Sequence, residues 1–328
     1  MMDNIKTLPD PHMGKAFRTG VPLHRLGERE ISQMADLRRS LMDGPETYHV
    51  CTGDLFDRFA VPNHILLAVY ESYSVAACSR PDRQFIILRG NHDASRDANR
   101  ISSFELLALM LRPFKNITVI SDKPAVHAGG LGFIPWHPFK DAEEMAGEFI
   151  TGAKDVASEF GTEIKVVFTH NDIEAFGDKV ENLIPTKTLS QVTDLIVNGH
   201  IHTFIEQEFD RDGVHVILTG SMQPYTHAEN PLGVLYRTLT LAEFDAMPPE
   251  DYRDLNIRLL LSPGQDLPTD VDCLSLTSKR LVLDEEGEQV DIEEFMNLDL
   301  GGLLAKRLAG NPLADRIMEK FNADETVS

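Results

Sequence analysis

Five short clusters of Asp, Asn and His hold the residues of this sequence best suited to chemistry. They are Asp10-Pro11-His12, Gly53-Asp54-Leu55-Phe56-Asp57, Gly90-Asn91-His92-Asp93, Thr169-His170-Asn171-Asp172 and Gly199-His200-Ile201-His202. Carboxylate oxygen, amide oxygen and imidazole nitrogen form a donor set for exchangeable divalent ions such as manganese, iron, zinc or nickel. No thiolate occurs in the clusters, so a closed structural zinc site is not expected. On an extended segment residues two apart point to one side, which pairs Asp10 with His12 and His200 with His202. Glycine stands before Asp54, Asn91 and His200, where it permits a tight turn at a strand end. Any one of these clusters alone is an ordinary turn. Five in series, each after an apolar run, point to a metal-dependent site.

The elements that must position them are legible as alternating apolar runs and helical stripes. Residues 47–52, 84–88, 164–168 and 194–197 read as short buried strands. A first strand at 4–8 is diluted by Asn4, Lys6 and Thr7. Ile31, Met34, Leu37 and Leu41 fit one helical face, and residues 63–79 form a second helix. A third carries Ala142, Met145, Ala146, Phe149, Ile150, Ala153, Val156, Ala157 and Phe160 on one side. Strands alternating with helices predict an α/β fold whose sheet is covered on both faces. In such sheets ligands gather at the carboxyl ends of strands. Residues 203–241 read as successive strands of a second sheet, with turns at Asp212-Gly213 and at Asn230-Pro231-Leu232-Gly233.

Met247-Pro248-Pro249-Glu250 reads as a linker. Beyond it lie two strand candidates, 256–262 and 271–283, then an acidic stretch from Asp284 to Glu294. A helical segment at 301–321 has Leu303, Leu304, Leu308, Leu313, Ile317 and Phe321 as its apolar points. The expected organisation is therefore a main domain over 1–247, a small cap domain over 248–294 and a C-terminal helical segment over 295–328.

With 328 residues, 42% of them apolar, the chain has material for a packed core. No run of 18 apolar residues occurs, and the N-terminus lacks a basic stretch followed by an apolar one. The expectation is a cytoplasmic protein without membrane spans, in the host cytoplasm if it comes from a phage. Cys51, Cys78 and Cys273 are far apart, as befits a reducing compartment. The net charge of −21 disfavours simple wrapping around nucleic acid. Residues 1–100 contain 13 Lys/Arg and 13 Asp/Glu, so the remainder carries the whole imbalance.

The series Asp10-x-His12, Gly53-Asp54-x-x-Asp57, Gly90-Asn91-His92-Asp93, His170 and Gly199-His200-x-His202 resembles the calcineurin-like metallophosphoesterase superfamily. Asp54-Leu55-Phe56-Asp57, Ile134-Pro135-Trp136 and Thr219-Gly220-Ser221-Met222-Gln223-Pro224 are similar, more narrowly, to the nuclease subunit of SbcCD-type DNA-repair complexes and its phage counterparts. The resemblance implies a two-sheet αββα sandwich with a small C-terminal α+β cap that binds a partner. It implies two divalent ions, manganese first among manganese, magnesium, iron, zinc and nickel. Asp10, His12 and His202 would hold one ion, Asn91, His170 and His200 the other, and Asp54 would bridge them. His92 would be the acid assisting the leaving oxygen, with Asp93 orienting it.

Where some family nucleases carry a histidine three residues after the bridging aspartate, this chain has Asp57. Lys15, Arg18, Asp57 and Arg58, close to the motifs, are the candidate substrate contacts. His137 reads as structural or substrate-side, and His24, His49, His64, His127, His215 and His227 as structural or surface residues. The activity implied is exo- or endonucleolytic hydrolysis of DNA in repair or recombination, by a homodimer joined to an SbcC-type coiled-coil ATPase. Alternatives on the same scaffold are a metallophosphatase, a cyclic-nucleotide phosphodiesterase, or a partner-binding protein without catalysis.

Overall fold

A computed structural model describes residues 4–97, 99–127, 129–161, 163–173, 182–202, 207–230, 233–283 and 289–290. The acidic stretch is almost wholly, and the 301–321 segment entirely, outside them.

The first sheet has four parallel strands in the order β1 (Ile5–Leu8), β2 (Tyr48–Cys51), β3 (Gln84–Leu88) and β4 (Ile117–Ile120). Helices α1 (Glu28–Met42), α2 (Asn63–Ser79) and α3 (Ser103–Leu111) connect them. The second sheet contains β5 (Ala125–His127), β6 (Leu131–Phe133), β7 (Val166–Thr169), β8 (Leu195–Asn198), β9 (Glu208–Arg211) and β10 (Val214–Leu218). Its order is β5-β6-β7-β8-β10-β9, with β6, β7, β8 and β10 mutually parallel. Helices α4 (Ala142–Phe160) and α5 (Thr186–Leu189) precede β7 and β8.

The continuous apolar runs are explained by two buried faces per strand. In β3, Ile86 and Leu88 join a cluster with Phe133, Val166 and Phe168 of the second sheet, while Phe85 and Ile87 face Val69 and Leu107 of the helices. In β7, Val166 and Phe168 look toward the first sheet and Val167 toward Met145 and Phe149 of α4. The result is a four-layer helix–sheet–sheet–helix sandwich, as expected.

The boundary between sheets differs from the expectation. Strands β7 and β8 belong to the second sheet, which begins at β5, and α3, β4, β5 and β6 were not anticipated. Strands β5 and β6 have three residues each, too few for a periodicity to show. Asp212 and Gly213, with φ of 52° and 80°, make the expected two-residue turn between β9 and β10.

A third sheet of parallel strands, β11 (Tyr236–Thr240), β12 (Asn256–Leu261) and β13 (Ser275–Arg280), follows. Strand β11, before residue 247, thus pairs with strands after it. Pro249 starts the short helix α7 (Pro249–Tyr252), since proline suits the first helical position, and α6 (Leu241–Asp245) precedes it. A two-stranded ribbon, β14 (Val282–Leu283) with β15 (Gln289–Val290), comes last. No helix among the described residues is long and apolar enough to cross a membrane.

Candidate metal centre

Because β1, β2 and β3 run parallel, as do β7 and β8, their carboxyl ends deliver Asp10, Asp54, Asn91, His170 and His200 to one edge of the sandwich. The loops after β1 and β2 are zipped together: His12 N–H donates to Asp54 O at 2.9 Å and Met13 N–H to Leu55 O at 2.8 Å. The Tyr225 hydroxyl lies 2.9 Å from Asp10 O and 2.7 Å from Pro11 O, and Gln33 Nε2 donates to Pro11 O at 2.8 Å. Backbone strain concentrates here. Asp10, His12, Asp54 and His200 are four of the six described non-glycine residues with positive φ, at 27°, 44°, 46° and 74°. Side chains rarely adopt that region, so the surrounding contacts must hold them there.

Three glycines make room for the ligands. A Cβ on Gly53 would strike the His170 ring, and one on Gly90 would strike the amide and carboxylate of Asp54. One on Gly199 would lie 2.8 Å from both Asp10 Oδ1 and His170 Nδ1.

The side chains form two groups around Asp54. In the first, His12 Nε2 and His202 Nε2 face each other at 3.0 Å, with His202 Nε2 3.3 Å from Asp10 Oδ2 and His12 Nε2 3.7 Å from Asp54 Oδ2. In the second, Asn91 Oδ1 is faced by His170 Nε2 at 3.0 Å and His200 Nδ1 at 2.9 Å, and His170 Nε2 is 3.3 Å from Asp54 Oδ2. Outer partners fix the rings. Thr52 O can only accept, so His170 Nδ1 donates to it at 2.9 Å. His200 Nε2 likewise donates to Asp172 Oδ1 at 2.8 Å. The opposite nitrogens then present lone pairs toward the oxygens of Asn91 and Asp54. A cation is the partner that satisfies these converging lone pairs together.

The carboxylates already draw protons in its place. Burial opposes a charge on His170, yet Asp54 and Asp10 raise it to about 9. Burial also opposes His202, and Asp10 and Glu229 raise it to about 10. Burial lowers His12 to about 4 despite Asp54 and Asp10. Asp54 itself is held well below the usual carboxylate range, against its burial, by His170 and His12.

All seven expected ligands therefore meet, with His202 in one group and His200 in the other. The two-residue spacing suggested that these two rings share a side. They diverge because His200 is left-handed rather than extended. His92 also reaches the site. Its Nδ1 donates to the backbone carbonyl of Asp57 at 2.7 Å, leaving Nε2 4.0 Å from Asp54 Oδ2.

Asp93 is placed differently from the expectation that it orients His92. Its buried carboxylate accepts N–H groups of Phe56 at 2.9 Å, Gly90 at 3.0 Å and Leu55 at 3.2 Å. It clamps the loops that carry Asp54 and Asn91, while Asp57 orients the His92 ring. Burial and the Asp54 charge push Asp93 up to about 7, against those three donors.

Of the candidate substrate contacts, Lys15 lies 3.5 Å from Asp57 Oδ1 and Arg58 3.4 Å from Asp57 Oδ2. Asp57 Oδ1 is also 3.8 Å from His12 Nδ1, so these three residues border the first group. Arg18 is exposed and touches no ligand side chain among the described residues. Sequence reasoning missed Thr52, Asp172, Glu229 and Tyr225 as supports. Asp172 stood inside the fourth cluster, two residues after His170. Glu229, whose Oε1 lies 3.6 Å from His202 Nδ1, had no spacing signal.

A strand-end site of this kind on a four-layer sandwich defines a metal-dependent phosphoesterase. The sequence profile of the calcineurin-like phosphoesterase family matches residues 9–204, a span holding every candidate ligand, and the chain belongs to that family. Its metal identity is unassigned. A search of curated proteins finds no match. Among solved structures, a dimetal phosphatase from Danio rerio is 11% identical, over 68% of this chain and 90% of its own, with a TM-score of 0.40. Another crystal structure is 12% identical, over 58% of this chain and 86% of its own, with a TM-score of 0.33.

Proposed function

We propose that the protein is a two-metal DNA nuclease of the SbcD type, hydrolysing phosphodiesters in repair or recombination beside an SbcC-type ATPase. The observation that carries the hydrolytic part is the convergence of two ligand groups on Asp54 with the His92 ring set beside them. Divalent ions held by Asp10, His12, His202 and Asp54, and by Asp54, Asn91, His170 and His200, would neutralise phosphoryl charge and lower the pKa of an attacking water. The chain's own contribution is orientation and a proton. With Nδ1–H committed to Asp57 O, a protonated His92 aims Nε2–H outward and gives it to the departing sugar oxygen. Thr52, Asp172 and Glu229 keep the ligand rings from turning.

DNA as the substrate is supported by the three SbcD-like segments, which border this centre. Leu55 and Phe56 lie under the Asp93 clamp, the Trp136 N–H donates to Arg89 O at 3.0 Å, and the Thr219 hydroxyl is 3.2 Å from that of Thr52. The strong acidity of the chain after residue 100 favours a partner that helps hold DNA. Segment 301–321 is the candidate dock for that ATPase, by an apolar face laid in a groove. Exposed Ile31 on α1, and Leu67 and Val75 on α2, are candidates for a homodimer contact.

The test is digestion of linear duplex and single-stranded DNA with manganese, beside a small phosphodiester and a phosphomonoester. DNA cleavage weakened by salt is expected. Turnover of the monoester or of a cyclic nucleotide with intact DNA would instead favour a phosphatase or cyclic-nucleotide phosphodiesterase.

A further inference from the structure

A cleft of ≈ 430 Å³ beside α5 reaches Asp172, but its charged lining is mostly acidic and suits no phosphate. A second cleft of ≈ 510 Å³ is lined by Arg96, Asn182 and the run from Trp136 to Asp141, whose one carboxylate, Asp141, is occupied in capping α4 by accepting from Glu144 N–H at 2.8 Å. Both of its walls are tied to the second ligand group. On one side, Trp136 N–H donates to Arg89 O at 3.0 Å and Arg89 Nε donates to Trp136 O at 3.1 Å, just ahead of Gly90 and Asn91. On the other, Asn182 O accepts from Asp172 N–H at 2.9 Å, and Asp172 holds the His200 ring.

Asp141 apart, the charged and ring-bearing side chains of the lining are aromatic or basic, in a strongly acidic protein. Phe139 is 60% exposed, a large cost for an aromatic ring. Its N–H donates to His137 Nδ1 at 3.1 Å, and the two rings meet edge-on with centroids 6.0 Å apart. That bond makes His137 Nδ1 an acceptor and leaves Nε2–H as the ring's donor; burial, then Arg89 and Lys140, lower its pKa and keep the ring neutral. Lys140 is bonded to Glu148. Arg96 is exposed and has no carboxylate partner among the described residues. An open aromatic face next to an unanswered guanidinium is the combination that binds an unstacked base and its phosphate.

We propose that this cleft is the subsite for a nucleotide adjoining the scissile phosphate. The base stacks on Phe139 beside Trp136, Arg96 takes the flanking phosphate, and the His137 Nε2–H is free to bond the base edge. This deepens the nuclease reading and rests on it. It further specifies single-stranded or frayed DNA, since a base inside a duplex offers no free face.

Trp136 is the single tryptophan of the chain and reports on the cleft directly. In the His92→Ala background, where turnover is slow, a single-stranded oligonucleotide added with manganese should change Trp136 emission saturably. Adding Phe139→Ala or Arg96→Ala should move the half-saturation point up about tenfold. With His92 present, either substitution should lower kcat/KM for the oligonucleotide about tenfold relative to kcat/KM for bis(p-nitrophenyl) phosphate, mainly through KM. Phe139→Trp should keep the wild-type ratio, because an indole also stacks.

Unchanged emission with an oligonucleotide shown by anisotropy to be bound would overturn the subsite, as would equal losses on both substrates. A wild-type protein that turns over the small diester but neither binds nor cuts the oligonucleotide would overturn the nuclease reading itself.

Discussion

His92 is the residue whose geometry most directly separates binding from catalysis. Its ring is oriented by a backbone carbonyl and lies beside the ligand groups, so His92→Ala should leave metal content unchanged and lower turnover by about 10²–10⁴-fold. Metal analysis of the purified variant beside its kcat checks this, and full activity would refute the assignment. Asp54 stands in both groups, so Asp54→Ala should lose metal at both sites. Retention of two ions per chain would contradict the bridge. The raised His170 and His202 values carry a pH dependence. Below about 9 and about 10 respectively, protons occupy the nitrogens that metal needs. Apparent manganese affinity should therefore rise with pH, by at least about tenfold between about pH 6 and about pH 7.5. Calorimetric titration giving one affinity at both values would argue against these rings as ligands. In the metal-free protein the sign for stability is opposite. Stabilisation from protonated His170 and His202 is present below their ordinary value of 6.5 and lost as pH rises through about 9 to about 10.

At the scale of elements, the site depends on how closely the loops after β2 and β3 approach. Gly90 has no room for a side chain because the Asp54 amide and carboxylate occupy that space. Gly90→Ala should push the loops apart, costing about 1–3 kcal/mol, and should weaken metal binding as well. Thermal unfolding measured with and without metal reads both effects, and a variant equal to the parent in both would show that the approach is unimportant. Asp93 belongs to this scale too. Its position beside His92 in sequence suggested a pair, but one turn of backbone directs the two side chains to opposite tasks. The strands themselves were legible where apolar runs were long enough. Their sheet membership was not, since β4 and β5 are neighbours in sequence yet lie in different sheets.

For the whole molecule, the charge distribution divides the labour. Residues 1–100, balanced in charge, build three of the four strands of the first sheet and carry four of the seven ligand candidates, while the remainder carries the whole −21. Deleting residues 295–328 should spare cleavage of short DNA by the main domain and abolish co-purification with an SbcC-type ATPase. Undiminished complex formation would refute the docking role of segment 301–321. The third sheet's surroundings meet the first sheet's helices at the start of α1: Arg25, just ahead of it, bonds Arg253 O, and Arg29 within it donates to Pro224 O at 3.1 Å. Pro224 lies beside Tyr225, which holds Asp10, so the cap's seat and the ligand loop share a support.

The five clusters were legible in the sequence because metal ligation depends on residue type and each cluster follows an apolar run that forms a strand. The choice of Asp10, His12, Asp54, Asn91, His170, His200 and His202 from those clusters, and of His92 as the acid, came from the family resemblance, and the structure brings these side chains together. Spacing by itself did not say how they divide; the family resemblance implied two groups, and the tertiary structure shows the geometry that separates them. Left-handed backbone at His200 overrides the alternation that spacing suggested for His200 and His202, and no periodicity in sequence encodes that. It also decided that Asp57 rather than Asp93 orients His92, and that Thr52, Asp172 and Glu229 stand behind the rings. Those contacts join residues as far apart as 118 positions, and only the packing of two sheets brings them together.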